Sequence, residues 1–411
     1  MQKRIRIVSV SIILVILLIG IIVMNNNSNN KYSFTQDGIK YALTLDGEKT
    51  TSFPPKGMYK AQVTCVGADG RWLYDEWKLA IENITSDDVT CDINFSTITK
   101  TNLNDYIISL AGSAQGTGQV VNENGYRYEG KNPNNYIWFN NEYWRIIGVF
   151  DSASHGQSNK NLVKIIRADV LDGLAWDKSN TNNWNTSSLK SLLNGAYYKA
   201  EDGTSSGYCY GYGTTATANC DYTKRGIQAG YRGMITSVTW HLGGYSSDSA
   251  TSSAFYGYER GTTVYSGRPT STTGYIGLMY PSDYGYSVLS SSCTRTTNLV
   301  SYNSAKCAGQ SWLYGKGYEW TLTPYSSNSS NVFDFEQHYG GYLYSNNANY
   351  GYGSRPVLYL DASVYKIDGD GSLNNPYIVG MWWICLAWMA GVSAPRGGDN
   401  FWLSKSSGEF L

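Results

Sequence analysis

The chain has 411 residues, enough for two or three domains, and its 32 Lys plus Arg balance its 32 Asp plus Glu, so net charge offers no basis for nucleic-acid binding. Charged residues make up only 16%, against roughly 25% in ordinary soluble domains, while Tyr alone numbers 36. That composition argues against a long helical bundle and for a β-rich extracellular protein.

Seven cysteines fall into three sequence-local pairs, Cys65/Cys91, Cys209/Cys220 and Cys293/Cys307, with Cys385 left over. No C-x-x-C spacing occurs, so tetrahedral zinc and thioredoxin chemistry have little support, and neither a metal nor a cofactor is expected. Three disulfides formed in an oxidising compartment are the favoured reading, with buried free thiols as the alternative. Closing the loop between Cys65 and Cys91 contributes about 3 kcal/mol in the chain-entropy picture.

In chain order, residues 1–30 come first. Ile7–Met24 is uncharged and almost wholly apolar, long enough at about 27 Å to cross the hydrocarbon core as a helix. Lys3, Arg4 and Arg6 precede it and an Asn-rich linker follows, which places the N-terminus inside and the remainder outside a membrane. A cleaved signal peptide is the rival, but no small-x-small cleavage site follows the apolar run.

Residues 31–97 predict a small β-sandwich. Period-two alternation marks strands at Tyr41–Leu45, Tyr59–Cys65, Trp77–Ile81 and Val89–Phe95, with turns at Pro54–Gly57 and Gly67–Gly70. Cys65 and Cys91 lie on the apolar faces of their strands, as a core-spanning disulfide requires. So small a core needs such a staple, and a spacer or stalk is the expected role.

Residues 98–135 read as a connector, with a short helix near Leu103–Leu110. A large domain is expected over 136–380. Asn140–Asn141 between two strand-like runs marks a hairpin turn that tolerates positive φ. Leu162–Arg167 is a further strand, and residues 185–188 cap a helix that groups Leu189, Leu192, Leu193 and Ala196. Strands follow at Tyr275–Met279, Tyr318–Leu322, Val332–Phe335 and Arg355–Leu360, separated by long loops. Trp138, Trp144 and Trp320 are expected in the core, and Glu319 and Arg355 form a candidate ion pair between strands. Residues 381–411 change character and read as an atypical tail. The fold class is therefore α+β: a transmembrane helix, a small β-sandwich and a loop-rich domain.

The order of motifs then resembles a known module. It runs through Tyr136–Ile147, Glu259–Gly261, Leu278–Tyr286, Glu319–Pro324, Arg355–Leu360 and the Gly369–Tyr377 turn. This is similar to an uncharacterised module of anchored surface proteins from low-GC Gram-positive gut bacteria, which in turn looks like the C-type-lectin-like fold of formylglycine-generating enzymes. The resemblance covers about Gly125 to Val379 and carries no ligand or catalytic residues over. It implies a lectin-like fold. The enzyme's active-site cysteine pair has no clear counterpart, because Cys293 and Cys307 sit in a Ser/Thr/Asn-rich loop and read as a staple. The calcium-binding signatures of C-type lectins are missing too.

No catalytic residues are identified. His155, His241 and His338 are the only histidines, and no Gly-x-Ser-x-Gly elbow places a nucleophile beside them. Asp368–Gly371 echoes the start of a calcium loop but lacks its twelfth-position Glu, so a tight turn is expected. More than half of the tyrosines lie between Tyr231 and Leu360, interspersed with Gly, Ser and Asn. That mixture suits binding surfaces. Candidate ligand-binding residues are Trp240, Tyr256, Tyr258, Arg260, Asp283, Tyr284, Tyr286, Tyr342, Tyr344, Tyr350 and Tyr352. They sit chiefly in three loops, Phe255–Arg260, Ser282–Tyr286 and Tyr339–Tyr352, expected on one side of one domain. The functional expectation is a single-pass cell-surface protein that binds a glycan or protein partner. An enzyme on the same scaffold and a structural envelope protein without a ligand are the alternatives.

Overall fold

The computed structural model describes residues 8–9, 34–36, 39–56, 58–74, 76–204, 209–216, 220–315, 317–336 and 340–381. It is mostly β, with two compact units, 1–100 with 380–411 and 101–379. Of the apolar segment 7–24 only Val8–Ser9 is described, as a two-residue strand paired with Lys78–Glu82; the expected anchor otherwise lies outside the described residues, as does the tail beyond residue 381. Among the described residues no helix is long and apolar enough to cross a membrane.

The small unit forms its strands where alternation predicts them. Ile39–Leu45 runs parallel to Val89–Thr97, which pairs antiparallel with Tyr59–Val66. Val89, Cys91, Ile93 and Phe95 are all buried, the period-two face the sequence marks. Asp69–Leu73 and Lys78–Glu82 form a second hairpin sheet. Between the sheets lies an aromatic core: Trp72 stacks on Phe53 at 5.4 Å and meets Phe95 and Trp77 edge-on at 5.0 and 5.2 Å. The Cys65–Cys91 disulfide is present, but it joins directly opposed residues of neighbouring strands and does not span the core. Gly70 makes room for it, since a Cβ there would lie 2.2 Å from the Cys65 sulfur.

The large unit begins at Thr101, earlier than the sequence suggests. The segment 101–135 is built into it and is no connector. Helix Leu103–Ser109 buries Leu103 and Ile107, and strands Gly118–Asn122 and Tyr126–Gly130 join the main sheet. Gly-, Ser- and Asn-rich composition masks the alternation that buries Val120 and Tyr128. At the centre of that sheet stands Glu142–Phe150, flanked by Tyr136–Phe139 and Leu162–Arg167. Asn140 and Asn141 take φ of 58° and 60°, the left-handed turn their sequence predicts. Val357–Leu360 extends the sheet from Leu162–Arg167. A second sheet orders Gly173–Ala175, Gly351–Gly353, Tyr318–Pro324, Asn331–Glu336 and Tyr342–Asn347.

Ser187 caps helix Ser188–Leu192, which continues as a wider turn over Leu193–Tyr197; Leu189, Leu192, Leu193 and Ala196 are buried as expected. Trp144 and Trp320 are core, whereas Trp138 is half-buried against Tyr143. Cys209–Cys220 and Cys293–Cys307 close their loops. Gly369 and Gly371 adopt positive φ in the turn that Asp368–Gly371 predicts.

Candidate functional site

The eleven residues that the sequence assigns to binding loops divide into two groups. Trp240, Asp283, Tyr284 and Tyr286 are buried, and Tyr256, Tyr258 and Arg260 stand beside them on a short helix, half-buried. The stretches expected to be loops are the helices Ser252–Glu259 and Pro281–Tyr286. Thr251 accepts the Ala254 N–H to start the first, and Pro281 with Asp283 starts the second. Their close packing needs Gly285, because a Cβ there would lie 2.2 Å from Ser252 Oγ.

This first group is a charged interior. Asp283 accepts the Tyr280 N–H at 2.9 Å, and Glu259 accepts the Ser282 N–H at 2.9 Å and hydroxyl at 2.6 Å. Arg127 Nη1 and Lys164 Nζ reach Asp283 at 2.9 and 2.5 Å, and Arg260 Nη1 reaches Glu259 at 3.3 Å. Burial pulls the Asp283 carboxyl upward, but Lys164 and Arg127 outweigh it and hold it at about 2. Burial lowers the Lys164 ammonium to about 8 against the pull of Asp283. Burial also raises Glu259 to about 7, opposed by Arg260 and Ser282. Aromatic faces cover the cations: Arg260 Cζ lies 3.5 Å from the Tyr256 ring, Lys164 Nζ 4.5 Å from Tyr280 and Arg127 Cζ 4.7 Å from Tyr286. Trp240 donates to the Gly274 carbonyl, Tyr258 stacks on Tyr245 at 4.0 Å, and Tyr284 packs on Phe335 at 3.8 Å. Asp283 is therefore scaffold, because its partners Arg127 and Lys164 arrive from strands more than a hundred residues away, and Tyr284, Tyr286 and Trp240 are buried in the same interior.

His155 and His241 are each tied to a backbone carbonyl, of Phe150 and Ala153, and burial lowers both. His338 lies outside the described residues.

The second group does gather. Tyr342, Tyr344, Tyr350 and Tyr352 lie on one side of the five-stranded sheet, half-buried or exposed. Register explains the clustering: Asp334 opposes Tyr344 and Trp320, and Glu336 opposes Tyr342 and Tyr318, so all share one face. Phe333 and Phe335, the alternating residues, turn inward to Phe255 and Tyr284. Tyr352 stacks on Tyr318 at 4.6 Å and leans on Trp320 at 4.6 Å; it meets Tyr350 at 5.8 Å, which stacks on Tyr212 at 5.7 Å. Tyr212 is carried in by the Cys209–Cys220 loop, which touches the sheet where Gly351 faces the Gly211 carbonyl.

Beneath these rings lie Asp334 and Glu336, both buried. The Asn346 amide reaches Asp334 at 3.2 and 3.4 Å and Glu336 at 3.4 Å, and the Tyr342 hydroxyl donates to Glu336. Burial pushes the Asp334 carboxyl well above the usual carboxylate range, the Asn346 amide opposing and Glu336 adding to the rise. These two acids are the residues that sequence reasoning misses. Their signal is the alternation of Val332, Asp334 and Glu336 with Phe333 and Phe335. The arrangement offers flat aromatic surface, tyrosine hydroxyls and carboxyl oxygens with spare acceptor capacity.

Elsewhere an open depression of about 460 Å³ is lined by Asn185, Lys190, Asn194, Lys199, Glu201 and Asp202, with no aromatic surface. Among the described residues no group of three His, Cys, Asp or Glu could hold a metal ion. No family model, curated protein or solved structure matches the chain.

Proposed function

We propose that this is a membrane-anchored, extracellular ligand-binding protein whose tyrosine-lined sheet face takes a glycan. The observation that carries the reading is the contiguous row Tyr212, Tyr350, Tyr352 and Tyr318, which ends opposite the buried Glu336. Ring faces stack on the C–H surfaces of sugars, and carboxyl and amide groups meet their hydroxyls; a few such polar groups set orientation on an apolar floor. Tyr344, opposite Asp334, is 44% exposed and Tyr212 is 57% exposed, and this open ring surface supports the reading. The three disulfides favour an oxidising, extracellular setting. The apolar segment 7–24 and its basic flank favour a single anchor with the bulk of the chain outside.

A glycan array with the full chain in detergent micelles tests this. Selective binding that Tyr344→Ala and Tyr212→Ala each weaken is expected; no spot above background with a folded protein refutes it. Protease added to intact cells is expected to remove everything after Asn30, and full protection refutes the topology.

A further inference from the structure

Buried carboxylates in the large unit follow a pattern. Asp283 faces Arg127 and Lys164, Glu259 faces Arg260, Glu129 faces Arg295, and Glu319 faces Arg355. In the first three cases an aromatic face also covers the cation: Tyr286 over Arg127 and Arg295, Tyr280 over Lys164, and Tyr256 over Arg260. Asp177 has no cation among the described residues but accepts two backbone N–H groups and the Thr181 hydroxyl. Carboxylate, cation and ring form a recurring trio, as the cost of burying an unpaired charge demands.

The tyrosine face departs from it. Asp334 and Glu336 supply two carboxyls, and Tyr342, Tyr344, Tyr350 and Tyr352 supply rings. Among the described residues no Arg or Lys pairs with either acid, and none lies over any of those four rings. Among the described residues no backbone N–H reaches either carboxyl, and one shared amide and one hydroxyl are their hydrogen-bond partners. Among the described residues the face therefore carries two members of the trio, carboxyls and rings, without the third.

Resting on the glycan-binding reading above, we infer that the ligand of this face is an amino sugar, whose ammonium group enters between the tyrosine rings and the Asp334 and Glu336 carboxyls. An ammonium suits the site better than a metal ion. Calcium requires six to eight oxygen ligands, whereas here two carboxyls lie on strands opposite Tyr318, Tyr342 and Tyr344, and ring faces attract a large, weakly hydrated cation. The hydroxyls of Tyr344 and Tyr352 fit the hydroxyls of a sugar ring. The row from Tyr212 to Tyr318 offers stacking surface beyond a single residue.

Calorimetric titration of the full chain at pH 6.5 with a β-1,4-glucosamine hexamer and its N-acetylated counterpart tests the inference. The free amine is expected to bind about tenfold or more tightly. The isosteric pair Asp334→Asn and Glu336→Gln is expected to erase that preference. Tyr344→Ala, an exposed position where folding is not at stake, is expected to weaken both ligands. Equal or reversed affinity for the two hexamers overturns the amino-sugar assignment while leaving the glycan reading intact. Binding of neither, together with a blank array, overturns the glycan reading itself. Binding of a lysine-rich peptide with neither hexamer bound overturns the amino-sugar assignment in favour of a protein partner.

Discussion

Arg355 grips Glu319 with both arms of its guanidinium, Nε to Oε1 at 2.5 Å and Nη2 to Oε2 at 2.9 Å, with both side chains almost fully buried. Glu319 lies opposite Gly353 in a parallel pairing, which brings Arg355 alongside. Arg355 also donates to the Leu313 carbonyl at 2.9 Å. The pair therefore ties the second sheet to the segment that leads into Val357–Leu360.

Removing one partner strands a buried charge. Arg355→Leu and Glu319→Leu are each expected to destabilise by about 3–5 kcal/mol, and the double variant by clearly less than the sum of the two. Chemical denaturation of the four proteins measures this. Additive losses would show that the pair contributes nothing as a pair.

Glu259 makes stability depend on pH in an unusual direction for a carboxylate. Burial raises it to about 7, above its unfolded value. A raised folded pKa gives stability that is complete below about pH 4.3, the unfolded value, and is lost as pH rises toward 7. Asp283 has the opposite sign: held at about 2 by Lys164 and Arg127, it gives stability present above about pH 4 and lost as pH falls below it. Between pH 4.5 and 7 Glu259→Gln is therefore expected to flatten a decline that the unmodified chain shows. Denaturation midpoints across that window check it, and parallel curves for the two proteins would contradict the assignment.

Local pattern made the strands legible. Alternation at Val89–Phe95, the Asn140–Asn141 turn and the helix that buries Leu189 and Leu192 all rest on neighbours in sequence. The cysteine pairs were legible for the same reason. Burial of the tyrosines was not. Tyr-Gly-Ser runs have one composition whether the rings meet solvent or pack inside, and the difference at Tyr284 and Tyr286 is decided by distant chain. Arg127 is 156 residues from the Asp283 it pairs with. Asp334 and Glu336 escaped for a related reason. Their alternation with Phe333 and Phe335 reads as a strand with one wet face, and Tyr342 and Asn346 from the next strand and Tyr352 over Trp320 help cover that face.

In the small unit, Gly70 and the Cys65–Cys91 disulfide share one space. A Cβ at Gly70 would lie 2.2 Å from the Cys65 sulfur and 2.8 Å from Val63 Cγ1. Gly70→Ala is expected to cost about 1–3 kcal/mol through overpacking. Placed in a background lacking the disulfide, through Cys65→Ala with Cys91→Ala, the same substitution is expected to cost less, because the nearest atom is gone. Limited proteolysis of the small unit in the four variants reads the coupling; an unchanged penalty would trace the strain to Val63 alone.

Asp334 offers a test of the binding face that needs no ligand. Its carboxyl is fully buried with no cation among the described residues, and burial raises it well above the usual range. A group of that kind contributes stability that is present below its unfolded value near pH 4 and lost as pH rises. Asp334→Asn keeps the shape and an acceptor for Asn346 while removing the charge. It is expected to raise the thermal midpoint at pH 7, with the gain shrinking toward pH 4, and to weaken binding of an ammonium-bearing sugar. A carboxyl that lowers stability yet is needed for binding is the signature of a site paid for elsewhere in the fold. Ligand binding should weaken as acidification protonates the carboxyl, because the entering ammonium favours the ionised form, and Asp334→Asn should remove that loss. A lower midpoint for Asp334→Asn at pH 7 would mean that the carboxyl is a structural hydrogen-bonding group, and the ammonium site would lose its physical basis.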